Sequence, residues 1–176
     1  MNREFALSKK TIHQLFKKLN AAFEKKQVQA EIHLVGGAVM CLVFNARPST
    51  LDLDGYFLPS QTVRKVAEKL AKEEGLPKNW LNDGVKGFFS EYGDFSLFLE
   101  LSHLKIFTAS AKYMLAMKCL SMRIGEEFFD LDDVAYLIRY LNIETMEEAL
   151  GIIYQYYDKD QFPVKSMYAL QGLLNR

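Results

Sequence analysis

A chain of 176 residues that is 49% hydrophobic and 13% aromatic is not disordered, and its length suits one domain burying about two-thirds of its unfolded surface. Its 22 basic residues equal its 22 acidic ones, so bulk charge draws it to neither nucleic acid nor membrane, and any polyanion contact must come from a local patch. Only two cysteines, Cys41 and Cys119, are present, both in apolar helical settings, which excludes a disulfide framework and reads as buried free thiols in a reducing compartment. No Cys/His metal spacing occurs. No apolar run approaches the roughly 20 residues of a membrane span. Met1 to Leu7 is followed at once by Lys9 and Lys10, unlike a secretory signal, so the expected location is the cytoplasm.

Ser8 is placed to cap a helix reaching about Gln27, with Ile12, Leu15, Phe16, Leu19, Ala22 and Phe23 on its apolar stripe. Lys9, Lys10, Lys17, Lys18, Lys25 and Lys26 occupy much of the remainder. They read as a solvated face, with an RNA-binding surface as the sharper alternative.

Ile32 to Leu58 is the stretch with chemistry. Ile32 to Val35 predicts a short strand ending at Gly36-Gly37, and Ala38 to Phe44 predicts a helix apolar on every side, hence covered all round. Pro48 is expected to end it and to push Arg47 toward an extended conformation. From Leu51 the period becomes two, which sets Asp52, Asp54 and Tyr56 on one strand face and Leu51, Leu53 and Phe57 on the other, against a core. Two carboxylates side by side repel unless a cation compensates them, and hard oxygen donors of this kind suit Mg²⁺ or Mn²⁺. Gly36 and Gly37, without side chains, leave backbone N–H groups open to a phosphate. Each feature alone is common as a tight turn or a solvated strand. In this order, with Arg47, Ser49 and Thr50 between them, they describe a nucleoside triphosphate (NTP) site.

A helix follows Pro59 from about Gln61 to Glu74, with Val63, Val66, Ala67, Leu70 and Ala71 inward and Gly75 and Pro77 ending it. Trp80 to Gly84 reads as a turn or short helix, with Trp80 either a hydrophobic anchor or a stacking surface and Asn82 and Asp83 as turn formers. Phe88 to Phe107 is strand-rich: Phe95, Leu97, Leu99 and Leu101 alternate with Ser96, Phe98 and Glu100, and Leu104 to Phe107 reads as a further strand.

From Ala109 the chain is expected to be helical. Lys118 shares a stripe with Met114, Leu115 and Met122, where it either snorkels outward or meets a phosphate. Arg123 is a weaker candidate for that role. Gly125 breaks the chain, and Asp130, Asp132 and Asp133 suit the first turn of a helix to about Leu141. Asp133 lines up with Leu137 and is placed to pair with Lys118 or Arg123. Thr145 to about Tyr157 and Val164 to Leu174 predict two more helices. Tyr154, Tyr156 and Tyr157 suggest no chemistry of their own. The expected class is α/β: a small mixed sheet flanked by helices, with the core at 1–108 and a helical part at 109–176 packed on it as one structural unit. Two loosely joined domains is the alternative.

The segment LVGGAVMCLVFNARPSTLDLDGYF resembles the signature of the nucleotidyltransferase superfamily, a Gly-Gly or Gly-Ser turn followed by Asp-x-Asp on the next strand. GLPKNWLNDGVKGFF and YMLAMKCLSMRIGEEFFDLDDVAYLI are similar to segments of a bacterial nucleotidyltransferase-like family related to abortive-infection toxins of toxin–antitoxin systems. The resemblance covers roughly residues 30–140. It implies a nucleotidyltransferase fold and transfer of a nucleotide from an NTP, with Asp52 and Asp54 as metal ligands and Glu100 as a third, general-base carboxylate. It also implies Lys118 on the triphosphate and the Trp80, Asn82 and Asp83 segment at the pocket rim. RNA, tRNA above all, is the first expected acceptor. A catalytically quiet nucleotide binder, or one half of a toxin–antitoxin pair with a cognate partner protein, is the alternative.

Overall fold

The computed structural model describes residues 5–123 and 130–176, so the expected break at Gly125 lies outside the described residues. The chain divides into two compact units. The first takes the chain up to Lys86 together with Phe95–Thr108; the second takes Gly87–Asp94 and the chain from Ala109.

The first unit is a mixed sheet with helices. Two-residue strand β1 (Leu7–Ser8) leads into helix α1 (Lys9–Lys25), where the Ser8 side chain caps the N–H of Thr11. Strand β2 (Ala30–Val35) runs straight into α2 (Gly36–Leu42). The short β3 (Ser49–Thr50) pairs antiparallel with β1, Leu7 facing Thr50. Then come β4 (Leu53–Leu58), α3 (Ser60–Glu74), β5 (Leu81–Asn82), β6 (Phe95–Glu100) and β7 (Leu104–Ala109). The main sheet has the order β5-β4-β2-β7-β6. β2 is antiparallel to β4 and parallel to β7, and β4 is parallel to β5.

Period two explains the sheet's two faces. Ile32 and Leu34 of β2, Leu53 and Phe57 of β4, and Leu104 and Ile106 of β7 are buried. Residues Ala38 to Leu42 of α2 are all buried, as a helix without a polar face requires. The other sheet face carries a stack of rings from three neighbouring strands. His33 lies between Tyr56 (centroids 4.4 Å apart) and Phe107 (4.5 Å), with Phe95 edge-on at 5.1 Å.

Three local expectations are corrected. α2 stops at Leu42, five residues short of Arg47, because Asn45 takes a left-handed conformation (φ 50°), so the helix stop is not Pro48. β4 begins at Leu53, so Asp52 precedes the strand and Leu51 is 57% exposed where a core position was expected. The Trp80 segment enters the sheet: Leu53 pairs with Leu81 and Asp54 with Asn82.

The second unit holds α4 (Ala111–Leu120), α5 (Asp130–Tyr140), α6 (Met146–Ile153) and α7 (Val164–Leu174). Ser110 caps α4, and Thr145 with Glu148 forms a capping box at α6. The segment before β6 belongs here because Tyr157 donates its hydroxyl to the Phe88 carbonyl and Ser90 donates to the Tyr156 carbonyl. That gives Tyr156 and Tyr157 a structural role. Both cysteines are buried and free. Among the described residues no helix is long and apolar enough to cross a membrane.

Candidate functional site: the carboxylate end of the sheet

Sheet register gathers the site. Val35, the last residue before the glycines, faces Asp54 across the antiparallel β2–β4 pair, and Asn82 flanks Asp54 on the other side through the parallel β4–β5 pair. Gly36, Asp54 and Asn82 therefore come from three neighbouring strand ends.

The glycines are what let these groups close in. Gly36 has φ +68°, a backbone conformation that costs a residue with a Cβ about 1–2 kcal/mol. A Cβ there would stand 3.3 Å from Asp54 Oδ2. A Cβ on Gly37 would stand 2.7 Å from Thr50 Oγ1 and 3.0 Å from Arg47 Nη1. At seven residues α2 is two turns long, so what the glycines contribute is chiefly space for these side chains.

The connection from α2 to β4 is pinned at both sides. The pairing of Ser49 with Ser8 holds it to the start of α1, and Lys9 Nζ donates to Asn45 Oδ1 at 3.3 Å. Buried Thr50 donates its hydroxyl to the Asp52 carbonyl at 3.2 Å. Asn82 Nδ2 donates to Asp52 Oδ2 at 3.4 Å and to the Asn79 carbonyl at 3.0 Å. Asp52, Asp54 and Arg47 are all half-buried. Asn82 reads in the sequence as a turn former and, by the resemblance, as a rim residue; its contact with Asp52 arises from a strand pairing that no local signal announces.

Asp83 is engaged by two cations. Its carboxylate lies 2.6 Å from both Lys86 Nζ and Arg64 Nη2, and the Lys86 hydrogen bond, then Arg64, hold it below the usual carboxylate range against the effect of burial. Trp80 is not on a pocket rim. Its side chain is completely buried and its indole N–H donates to the Ala67 carbonyl at 3.0 Å, so it anchors α3 and cannot stack on a ligand.

Glu100 does not join the aspartates. It ends β6 and pairs with Lys105 (3.5 Å), which lies beside Glu31 in the β2–β7 register. Asp54 lies beside Val35, four residues further along β2 and three strands across the sheet, about 13 Å along and about 14 Å sideways. The expected third carboxylate is therefore at the opposite end of the sheet. Among the described residues no group of three or more His, Cys, Asp or Glu side chains is placed to hold a metal.

Lys118, in the second unit, is occupied by carboxylates. Its Nζ lies 2.8 Å from Asp133 Oδ2 and 3.1 Å from Asp130 Oδ1, with all three side chains largely buried. Arg123 Nε and its backbone N–H both donate to Asp130 Oδ2 at 3.0 Å. Burial pushes the Asp130 carboxyl up, but Lys118 and Arg123 outweigh it and hold the group below its usual range. The expected pairing of Asp133 with Lys118 is what forms.

Compared with family models, curated proteins and solved structures, the chain has no match in any of the three.

The donor set fits a divalent cation shared with a ligand. Asp52 and Asp54 would supply hard oxygens, and Mg²⁺ is commonly held by one or two carboxylates plus phosphate and water oxygens. The glycine turn leaves backbone, without side chains, next to Asp54.

Proposed function

We propose that the carboxylate end of the sheet is a metal–nucleotide site and that the chain transfers a nucleotidyl group from an NTP to an acceptor. The observation that carries this reading is the approach of Gly36 to Asp54, with Asp52, Arg47 and Thr50 in the same cluster. Asp52 and Asp54 would hold Mg²⁺ or Mn²⁺, which when bound offsets their repulsion and draws electron density from the phosphates. Gly36 and Gly37 leave room for phosphate oxygens, Arg47 opposes their charge, and Ser49 and Thr50 fix the connection that carries Arg47 and Asp52. In the reaction the acceptor oxygen bonds to the α-phosphorus and pyrophosphate leaves. RNA, with tRNA first, is the acceptor class this reading favours. Lys118 is given no part, because Asp130 and Asp133 already engage it.

A second reading is a catalytically quiet nucleotide binder or a toxin–antitoxin component with a partner protein. The position of Glu100 favours it, since among the described residues the carboxylate expected as general base lies away from Asp52 and Asp54.

The experiment is incubation with each of the four NTPs, labelled at the α-phosphate, with Mg²⁺ and an RNA pool or cell protein. Label transferred by the native chain and not by Asp54→Asn supports the enzyme. NTP binding without transfer to any acceptor supports the quiet reading, and neither binding nor transfer overturns both.

A further inference from the structure

α1 and α3 lie side by side in the first unit, and between them runs a groove of about 560 Å³. Lys18, Lys25 and Lys26 come from the α1 side, and Lys65 and Lys69 from α3. Ala21 and Ala22 also line it, and their short side chains leave space between the lysines. Glu73 and Glu74 are the acidic residues in it, so five lysines face two glutamates.

Ion pairing does not consume this charge. Lys18 pairs with Glu74 (2.5 Å) and Lys69 with Glu73 (3.8 Å). Among the described residues no carboxylate pairs with Lys25, Lys26 or Lys65. Lysines at a helix C-terminus suit the helix dipole, which accounts for Lys25 and Lys26. It does not account for Lys65, in the first half of α3, facing the same groove.

We infer that this groove binds the phosphate backbone of a single-stranded nucleic acid. Lys65 and Lys69 are about 6 Å apart along the helix axis, near the spacing of successive phosphates in an extended strand. Lysines on both walls suit a strand lying between them. Ammonium groups neutralise phosphates without reading bases, so the contact is sequence-independent. No large exposed hydrophobic residue lines the groove, which argues against a membrane surface. The groove shares no residue with the carboxylate site and does not rest on the NTP reading.

The test is fluorescence anisotropy of a labelled single-stranded RNA of mixed sequence, with EDTA and no NTP, so that the carboxylate site plays no part. Three neutralised phosphates give a slope of log affinity against log salt of about −2, an affinity loss of about 16-fold between 50 and 200 mM salt. Lys25→Gln/Lys26→Gln/Lys65→Gln removes that dependence, while the corresponding Arg substitutions keep it. All three side chains are exposed, and an unchanged melting temperature confirms that the Gln variant is folded. Absence of salt-dependent binding, or an unchanged slope in the Gln variant, overturns the inference. Equal competition by a polyglutamate peptide reassigns the groove to acidic protein segments and overturns it as well.

Discussion

The backbone of Gly36 lies against the carboxylate of Asp54, so close that a Cβ would meet Oδ2 at 3.3 Å. Gly36→Ala adds that carbon at φ +68°. The substitution is expected to cost about 1–2 kcal/mol in a denaturant titration and to weaken Mg²⁺–NTP binding by displacing the carboxylate. Unchanged nucleotide affinity in calorimetry would separate the glycine from the site.

Replacing both aspartates, Asp52→Asn with Asp54→Asn, is expected to abolish stabilisation by Mg²⁺–NTP, because the carboxylates that would hold the cation are gone. The native chain should gain about 2.7 kcal/mol from Mg²⁺–NTP at a hundredfold excess over its Kd, and the double variant nothing. Melting curves of both proteins with and without nucleotide make the comparison; equal gains would mean that the nucleotide binds elsewhere.

Lys118→Met is expected to destabilise the second unit by about 3–5 kcal/mol, because two buried carboxylates lose their shared cation. Adding Asp133→Asn should restore part of that loss, since Arg123 still serves Asp130. Asp130 also sets a pH dependence. Its carboxyl is held low in the fold, so the stability it contributes is present above the unfolded carboxylate pKa of about 3.9 and is lost as pH falls through the lower folded value. Urea titrations from pH 6 down to about 3 should show a shallower acid decline in Asp130→Asn than in the native protein.

His33 sits in the ring stack with its Nδ1 buried and unbonded, and burial lowers its pKa despite Glu31, whose carboxylate is 3.9 Å from Nε2. The unfolded chain therefore takes up this proton first as pH falls through about 6.5, and stability declines. His33→Phe keeps the stack with Tyr56 and Phe107 and should remove part of that decline. His13, also lowered by burial and by Lys9 and Lys17, retains the rest. A variant with an undiminished slope between pH 7 and about 5 would contradict this account.

Trp80→Phe removes the indole hydrogen bond to Ala67 and leaves a void behind α3, a loss of about 2 kcal/mol in a denaturant titration. Nucleotide affinity measured well below the unfolding transition should not change. A selective loss of affinity would return Trp80 to the pocket.

What the sequence by itself determined was local. A period of two sent Leu53 and Phe57 inward and left Asp54 and Tyr56 on the other face; a period of 3.6 with Ser8, Ser110 and Thr145 as caps set the helices close to where they lie. Gly36-Gly37 followed by Asp-x-Asp marked the end of the sheet where Gly36, Asp54 and Asn82 converge. Which strands become neighbours was decided only by tertiary structure, because alternation specifies a face and carries no information about a partner strand or its register. That is why Asn82 reaches Asp52 from a segment read as a turn, why Glu100 has a suitable face yet lies at the wrong end of the sheet, and why Trp80 is core. The same holds for charge. The lysines of α1 read as a solvated face with RNA binding as the alternative, and packing α1 beside α3 is what brings them together with Lys65 and Lys69 around one groove.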